Sequence, residues 1–134
     1  MRTSARALIA LAILASILSF AKFNQCSAND WATPDQYVHA CYSDLPALFG
    51  ERGLSQGDWA YSNGDASVEY PVVTGAIMWA VAKITPSGDN ALQNYFYANI
   101  FFLALLFIFI TLLVSKMRPE FAYLTPLAPA AIAS

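Results

Sequence analysis

The chain has 134 residues, of which 57% are hydrophobic and only 12% charged, about half the charged share of an ordinary soluble domain. Seven Lys and Arg against nine Asp and Glu argue against a basic nucleic-acid binder, and two cysteines are too few for a disulfide-built miniprotein. That leaves a small membrane protein or an unusually apolar soluble domain, and the placement of the apolar residues favours the membrane.

Residues 7–21 (ALIALAILASILSFA) carry no charge, with Arg2 and Arg6 before them and Lys22 after. As a helix they cover roughly 23 Å, enough for the hydrocarbon core if Arg6 and Lys22 snorkel to its edges. Two readings stay open: an uncleaved signal-anchor helix over 7–23, or a cleaved secretory signal ending near Ser27-Ala28. Both export the segment on its C-terminal side. Cys26 and Cys41 then lie where oxidation is allowed. A bridge between them would restrain the segment leading to Asp44; two free or buried thiols are the alternative.

The loop over 24–94 reads as turns and short helices. Residues 29–35 (NDWATPD) are turn-rich, and Ser43-Asp44-Leu45-Pro46 opens a helix over 47–52 that Gly53 ends. Residues 55–67 are again turn material, around Gly57 and the Ser62-Asn63-Gly64-Asp65 cluster. Pro71 holds Tyr70 extended and begins an apolar helix over 71–84, where a missing N–H costs little. Its run VVTGAIMWAVAKI is too short to span and suits a helix lying in the outer membrane interface.

Residues 95–114 (YFYANIFFLALLFIFITLLV) cover about 30 Å and are apolar on every face, which rules out an amphipathic soluble helix. Lys116 and Arg118 mark a basic turn over 115–120. Residues 121–134 (FAYLTPLAPAAIAS) read as the start of an incomplete apolar segment, so the chain is expected to be the front part of a longer polytopic protein. Within the loop, Asp30, Asp35, Asp44, Glu51, Asp58, Asp65, Glu69 and Asp89 face only Arg52 and Lys83. With basic residues outside the two spans, the positive-inside rule places both termini near the cytoplasm and the acidic loop outside. The expected fold class is an all-α integral membrane protein of the cell membrane, with two transmembrane helices, an extracytoplasmic loop with short helices, and a truncated third apolar segment.

His39 is the only histidine, which excludes multi-histidine metal sites and HExxH. P-loop, GxGxxG and GxSxG signatures are absent. Chemistry therefore falls to the acidic residues. Asp44, ahead of Leu-Pro-Ala-Leu, suits a helix N-cap. Glu69 reads as a solvated loop charge. Tyr42, Tyr61 and Tyr70 with Trp59 and Trp79 suit an interfacial aromatic belt or a stacking surface for a ligand.

The run Tyr37-Val38-His39-Ala40-Cys41-Tyr42-Ser43-Asp44-Leu45-Pro46-Ala47-Leu48-Phe49, then Arg52-Gly53-Leu54, then Glu69-Tyr70-Pro71-Val72-Val73-Thr74-Gly75, resembles the opening of glycosyltransferase family 87. These are actinobacterial polyprenyl-phosphate-mannose-dependent mannosyltransferase-like membrane proteins of the GT-C class. In that family an anchor helix leads to a first outer loop with an essential Asp, then a Gly-containing turn and a Tyr-Pro pair. The matching positions are Asp44, Gly53 and Tyr70-Pro71; Val72 stands where the family often has a second proline. The resemblance implies an inverting hexosyltransferase. A sugar would pass from a polyprenyl-phosphate donor to a glycan or glycolipid acceptor, with Asp44 as catalytic base and no obligatory metal or other cofactor. Glu69 and Tyr70 would be substrate-binding residues. Many further spans would build the donor groove, so the chain alone is expected to be inactive. The alternative is a non-enzymatic small membrane protein whose outer loop binds a partner. The lipid bilayer is a partner in either case, and nucleic acid in neither.

Overall fold

The computed structural model describes residues 5–62 and 67–127, whose regular secondary structure is all helical, with no strand among them. The helices are α1 (Ala5–Phe23), α2 (Asp35–Val38), α3 (Asp44–Glu51), α4 (Val72–Ile84) and α5 (Ala91–Met117), with 3₁₀ turns at Asn24–Asn29, Leu54–Gln56 and Thr125–Leu127. The Asn63-Gly64-Asp65 part of the expected turn cluster lies outside the described residues, as do Arg2 and residues 128–134. The chain divides into two compact units, one of Met1–Gln25 with Phe101–Ser134 and the other of Cys26–Ile100.

The first unit is built from α1 and the apolar length of α5. Leu8, Ala12 and Ala15 recur at helical spacing and are the buried face of α1. The rest of that helix is open, with Ile17 and Leu18 57% and 60% exposed. On α5, Phe101 and Phe109 are likewise more than half exposed. Such apolar exposure is costly in water and costs nothing in hydrocarbon. Both helices are long and apolar enough to cross a membrane.

Their few polar side chains are turned inward on the helix itself. The Ser16 hydroxyl donates to the Ala12 carbonyl at 2.9 Å, and the Thr111 hydroxyl to Phe107 at 2.9 Å. Beyond Met117 the chain turns through 118–124 into the 3₁₀ turn Thr125–Leu127, which packs on α1. Over its described part the expected third apolar segment is thus turns rather than a helix, with Pro126 inside the final 3₁₀ turn.

The second unit has a core of Phe49, Leu54, Ala60, Val68, Met78, Val81 and Tyr95. Helix α3 begins at Asp44, earlier than the expected 47–52, because the Ser43 hydroxyl caps it by accepting the Leu45 N–H at 3.4 Å. Asp44 is therefore the first helical residue and not the cap. Gly53, at φ 73°, comes after the C-cap Arg52 and turns the chain away, as a glycine after a helix end does. Phe49 of α3 stacks on Tyr95 of α5 with centroids 4.4 Å apart.

Helix α4 starts one residue later than expected. Pro71 is its N-cap, with extended ψ of 146°, and its carbonyl accepts the Gly75 N–H at 3.1 Å. A Cβ on Gly75 would overlap the Tyr61 ring and hydroxyl. Its absence lets that hydroxyl donate to the Tyr70 and Pro71 carbonyls, 3.0 Å each. The Tyr-Pro turn is thereby clamped from the side. Helix α5 begins at Ala91, a turn before the apolar run, and the Gln93 amide donates to the Asp30 carboxylate and to the Ser27 carbonyl.

Candidate functional site

The segment between α1 and α3 is closed on itself by a disulfide from Cys26 to Cys41, whose Cα atoms are 6.3 Å apart. Inside that closure, α2 ends in a reversal of Schellman type. The Cys41 N–H donates to the Gln36 carbonyl at 3.0 Å and the Ala40 N–H to Tyr37 at 3.2 Å. Ala40 sits at φ 51°, the left-handed region where glycine is the usual occupant. Trp31, at φ 55°, is a bulkier exception of the same kind. It is buried and packs on Phe96 with centroids 4.4 Å apart, which anchors that conformation.

The Ala40 reversal brings Tyr42 back beside Tyr37. Their rings lie 13° from parallel with centroids 5.7 Å apart. Two residues on, Asp44 stands at the head of α3. The Tyr70 hydroxyl donates to its Oδ2, and the Tyr42 phenol lies near enough to act on the same carboxylate. Four side chains from three segments of the chain thus meet: Tyr37, Tyr42, Asp44 and Tyr70.

The electrostatics are set by those donors. The Tyr70 hydroxyl first, and the Tyr42 hydroxyl second, hold the Asp44 carboxyl below its ordinary 3.8, against an opposing contribution from burial. Tyr42 is pushed up to about 12, chiefly by its hydrogen bond to Asp44, then by burial and by the nearby negative charge. Tyr70 is raised for the same leading reason. At neutral pH the site is one carboxylate and two intact phenols. A carboxylate has about four lone-pair positions, so two phenols leave room for a further donor such as a ligand hydroxyl.

Glu69 is directed elsewhere. Its Oε1 pairs with Arg52 Nη2 at 3.2 Å, and its side chain is 82% exposed. A pair so exposed contributes little stability, but it ties the far end of α3 to the residue before Tyr70. Among the other aromatic candidates, Trp59 and Trp79 meet edge-on with centroids 5.1 Å apart, and the Trp79 indole N–H donates to the Gly57 carbonyl at 3.3 Å. Tyr61 is committed to the Tyr-Pro clamp. His39 is the exposed C-cap of α2. Among the described residues no three His, Cys, Asp or Glu side chains gather as they do around a metal ion.

Tyr37 opens the run that carries the family resemblance, yet it is not one of the aromatic residues that the sequence offers as a stacking surface. The sequence does carry a signal for it: tyrosines on either side of an Ala-Cys pair, with the cysteine able to close a loop. The Tyr42-x-Asp44 spacing is also local. The Tyr70–Asp44 contact crosses 26 residues, and nothing in the intervening sequence encodes it.

Comparison with protein-family models, with curated proteins and with solved structures finds no match to this chain.

Proposed function

We propose that the chain is a membrane-anchored part of a sugar-transfer protein of the cell envelope, with α1 and α5 in the bilayer and the acidic segment between them outside the cytoplasm. Asp44 is its base. The observation that carries this reading is the carboxylate at the head of α3, kept ionised by Tyr70 and Tyr42 and still able to accept from a third donor.

In the reaction, an acceptor hydroxyl oxygen uses a lone pair to form a bond to the anomeric carbon of a polyprenyl-phosphate-linked sugar. The bond from that carbon to the phosphate oxygen breaks, and its electron pair leaves with the lipid phosphate. The acceptor's proton passes to an Asp44 carboxylate oxygen. A carboxylate with a depressed pKa is a weak base, so this transfer belongs late, when bond formation has made the hydroxyl strongly acidic. Tyr70 positions the carboxylate and faces the sugar hydroxyls. A polyprenyl tail confines the donor to the bilayer, which is why a base for it belongs at the membrane surface.

Asp44→Asn in the full-length protein is expected to reduce mannose transfer from polyprenyl-phosphate mannose about 100-fold or more, with membrane insertion unchanged. Undiminished transfer by the variant removes Asp44 from the mechanism. An effect on envelope-complex assembly with no transfer by the wild type supports the partner-binding alternative instead.

A further inference from the structure

Among the aromatic groups in the second unit, one pair stands open and nearly parallel beside a charged group. Trp79 and Tyr61 spend their polar atoms on backbone carbonyls. Tyr95 and Phe96 are fully buried. Tyr37 and Tyr42 differ, being 61% and 44% exposed while held face to face.

That arrangement is imposed. The left-handed Ala40 reverses the chain between the two rings, and the Cys26–Cys41 bond fixes the residue directly before Tyr42. The Asp44 carboxylate two residues on is in turn held by the Tyr70 hydroxyl. Rings already set face to face lose little further entropy when a ligand settles on them. Two open, pre-set rings beside an ionised carboxylate are a combination of apolar face and directed acceptor that binding sites use.

We infer that the Tyr37–Tyr42 pair is a stacking platform for a hexopyranose ring, which seats the sugar so that one of its hydroxyls donates to Asp44. A pyranose chair offers a face of C–H groups made slightly positive by the ring oxygens, and an aromatic face is slightly negative, so the two attract when stacked. The hydroxyls stand around the ring edge, where a carboxylate beside the platform accepts from them. The inference rests on the sugar-transfer reading for the ring's role in a reaction, but sugar binding by the platform is a separate event from transfer.

The test uses the full-length chain in lipid nanodiscs, with methyl α-D-mannopyranoside as probe and saturation-transfer NMR as readout. The wild type is expected to bind with saturation strongest on the ring C–H protons. Tyr37→Phe keeps the ring and should retain binding. Tyr37→Leu removes it and should weaken binding about fivefold, the scale of one aromatic contact. Tyr37 is exposed, so neither variant disturbs the core. No binding by the wild type, or equal binding by the Phe and Leu variants, overturns the platform. The separate Asp44→Asn transfer assay tells the two failures apart. Transfer lost in that variant with binding indifferent to Tyr37 sinks the platform alone, and ring-dependent binding with transfer unaffected by Asp44 sinks the catalytic reading alone.

Discussion

At Asp44 the sign of the pH dependence is set by two opposite shifts. A carboxyl held below its ordinary 3.8 stabilises the fold fully above that value and loses the contribution as pH falls through its lower folded value. The phenols behave in the mirror sense. Their contribution is whole below the ordinary 10.0 and is lost as pH rises, through about 12 for Tyr42. Tyr70→Phe removes the leading cause of the Asp44 shift. Carboxyl ¹³C titration should then show the Asp44 midpoint moving up toward 3.8, and an unmoved midpoint would mean that Tyr70 does not bond the carboxylate in solution. Ala40 offers a second test at this scale. Relief of its left-handed conformation outweighs the added freedom of the unfolded chain, so Ala40→Gly should raise stability by about 0.5 kcal/mol. A lower melting temperature in detergent would contradict that.

Individual elements are positioned by small residues and by closures. Gly75 is the clearest case, since α4 can approach Tyr61 only without a Cβ there. Gly75→Ala must push the Tyr61 hydroxyl off the Tyr70 and Pro71 carbonyls, at a cost of about 1–3 kcal/mol. Tyr61→Phe should lose the hydrogen-bonding part alone, and thermal melts of the two single variants and the double variant measure the coupling. If the two effects simply add, Gly75 does not act through Tyr61. The disulfide closes the segment that holds α2. Replacing Cys26 and Cys41 together by Ser should destabilise the second unit by about 3 kcal/mol through the freed loop, read as a loss of melting temperature that reducing agent reproduces in the wild type. The α3 boundary belongs to the same scale. The Ser-Asp-Leu-Pro run announces a helix start, yet whether Ser43 or Asp44 makes the cap depends on which side chain is drawn elsewhere. Asp44 is taken by Tyr70, and Ser43 takes the cap.

For the molecule as a whole, the two apolar helices and the acidic stretch between them define the proposed topology. Cys26 and Cys41 are bonded to each other, so Ser55→Cys adds the only free thiol, at an exposed position before α4. A membrane-impermeant maleimide should label it on intact cells. Labelling only after the membrane is opened would place the acidic segment in the cytoplasm and remove the donor-access argument with it.

One-dimensional chemistry was enough for the helical class and for the two long apolar helices, because hydrocarbon compatibility is a property of residue type and run length and needs no partner. It was also enough to bring Asp44 and Tyr70 forward as candidates. Folding in three dimensions decided their relation. The Asp44 carboxylate meets a phenol 26 positions away only because Gly75 admits Tyr61, Tyr61 clamps the Tyr-Pro turn, and α3 packs through Phe49 on Tyr95. It likewise decided that Glu69 turns to Arg52 and that Tyr37 joins the site through the Ala40 reversal. Contacts of this kind depend on loop closure and on competition among side chains for one donor or acceptor, and neither leaves a periodic mark along the chain.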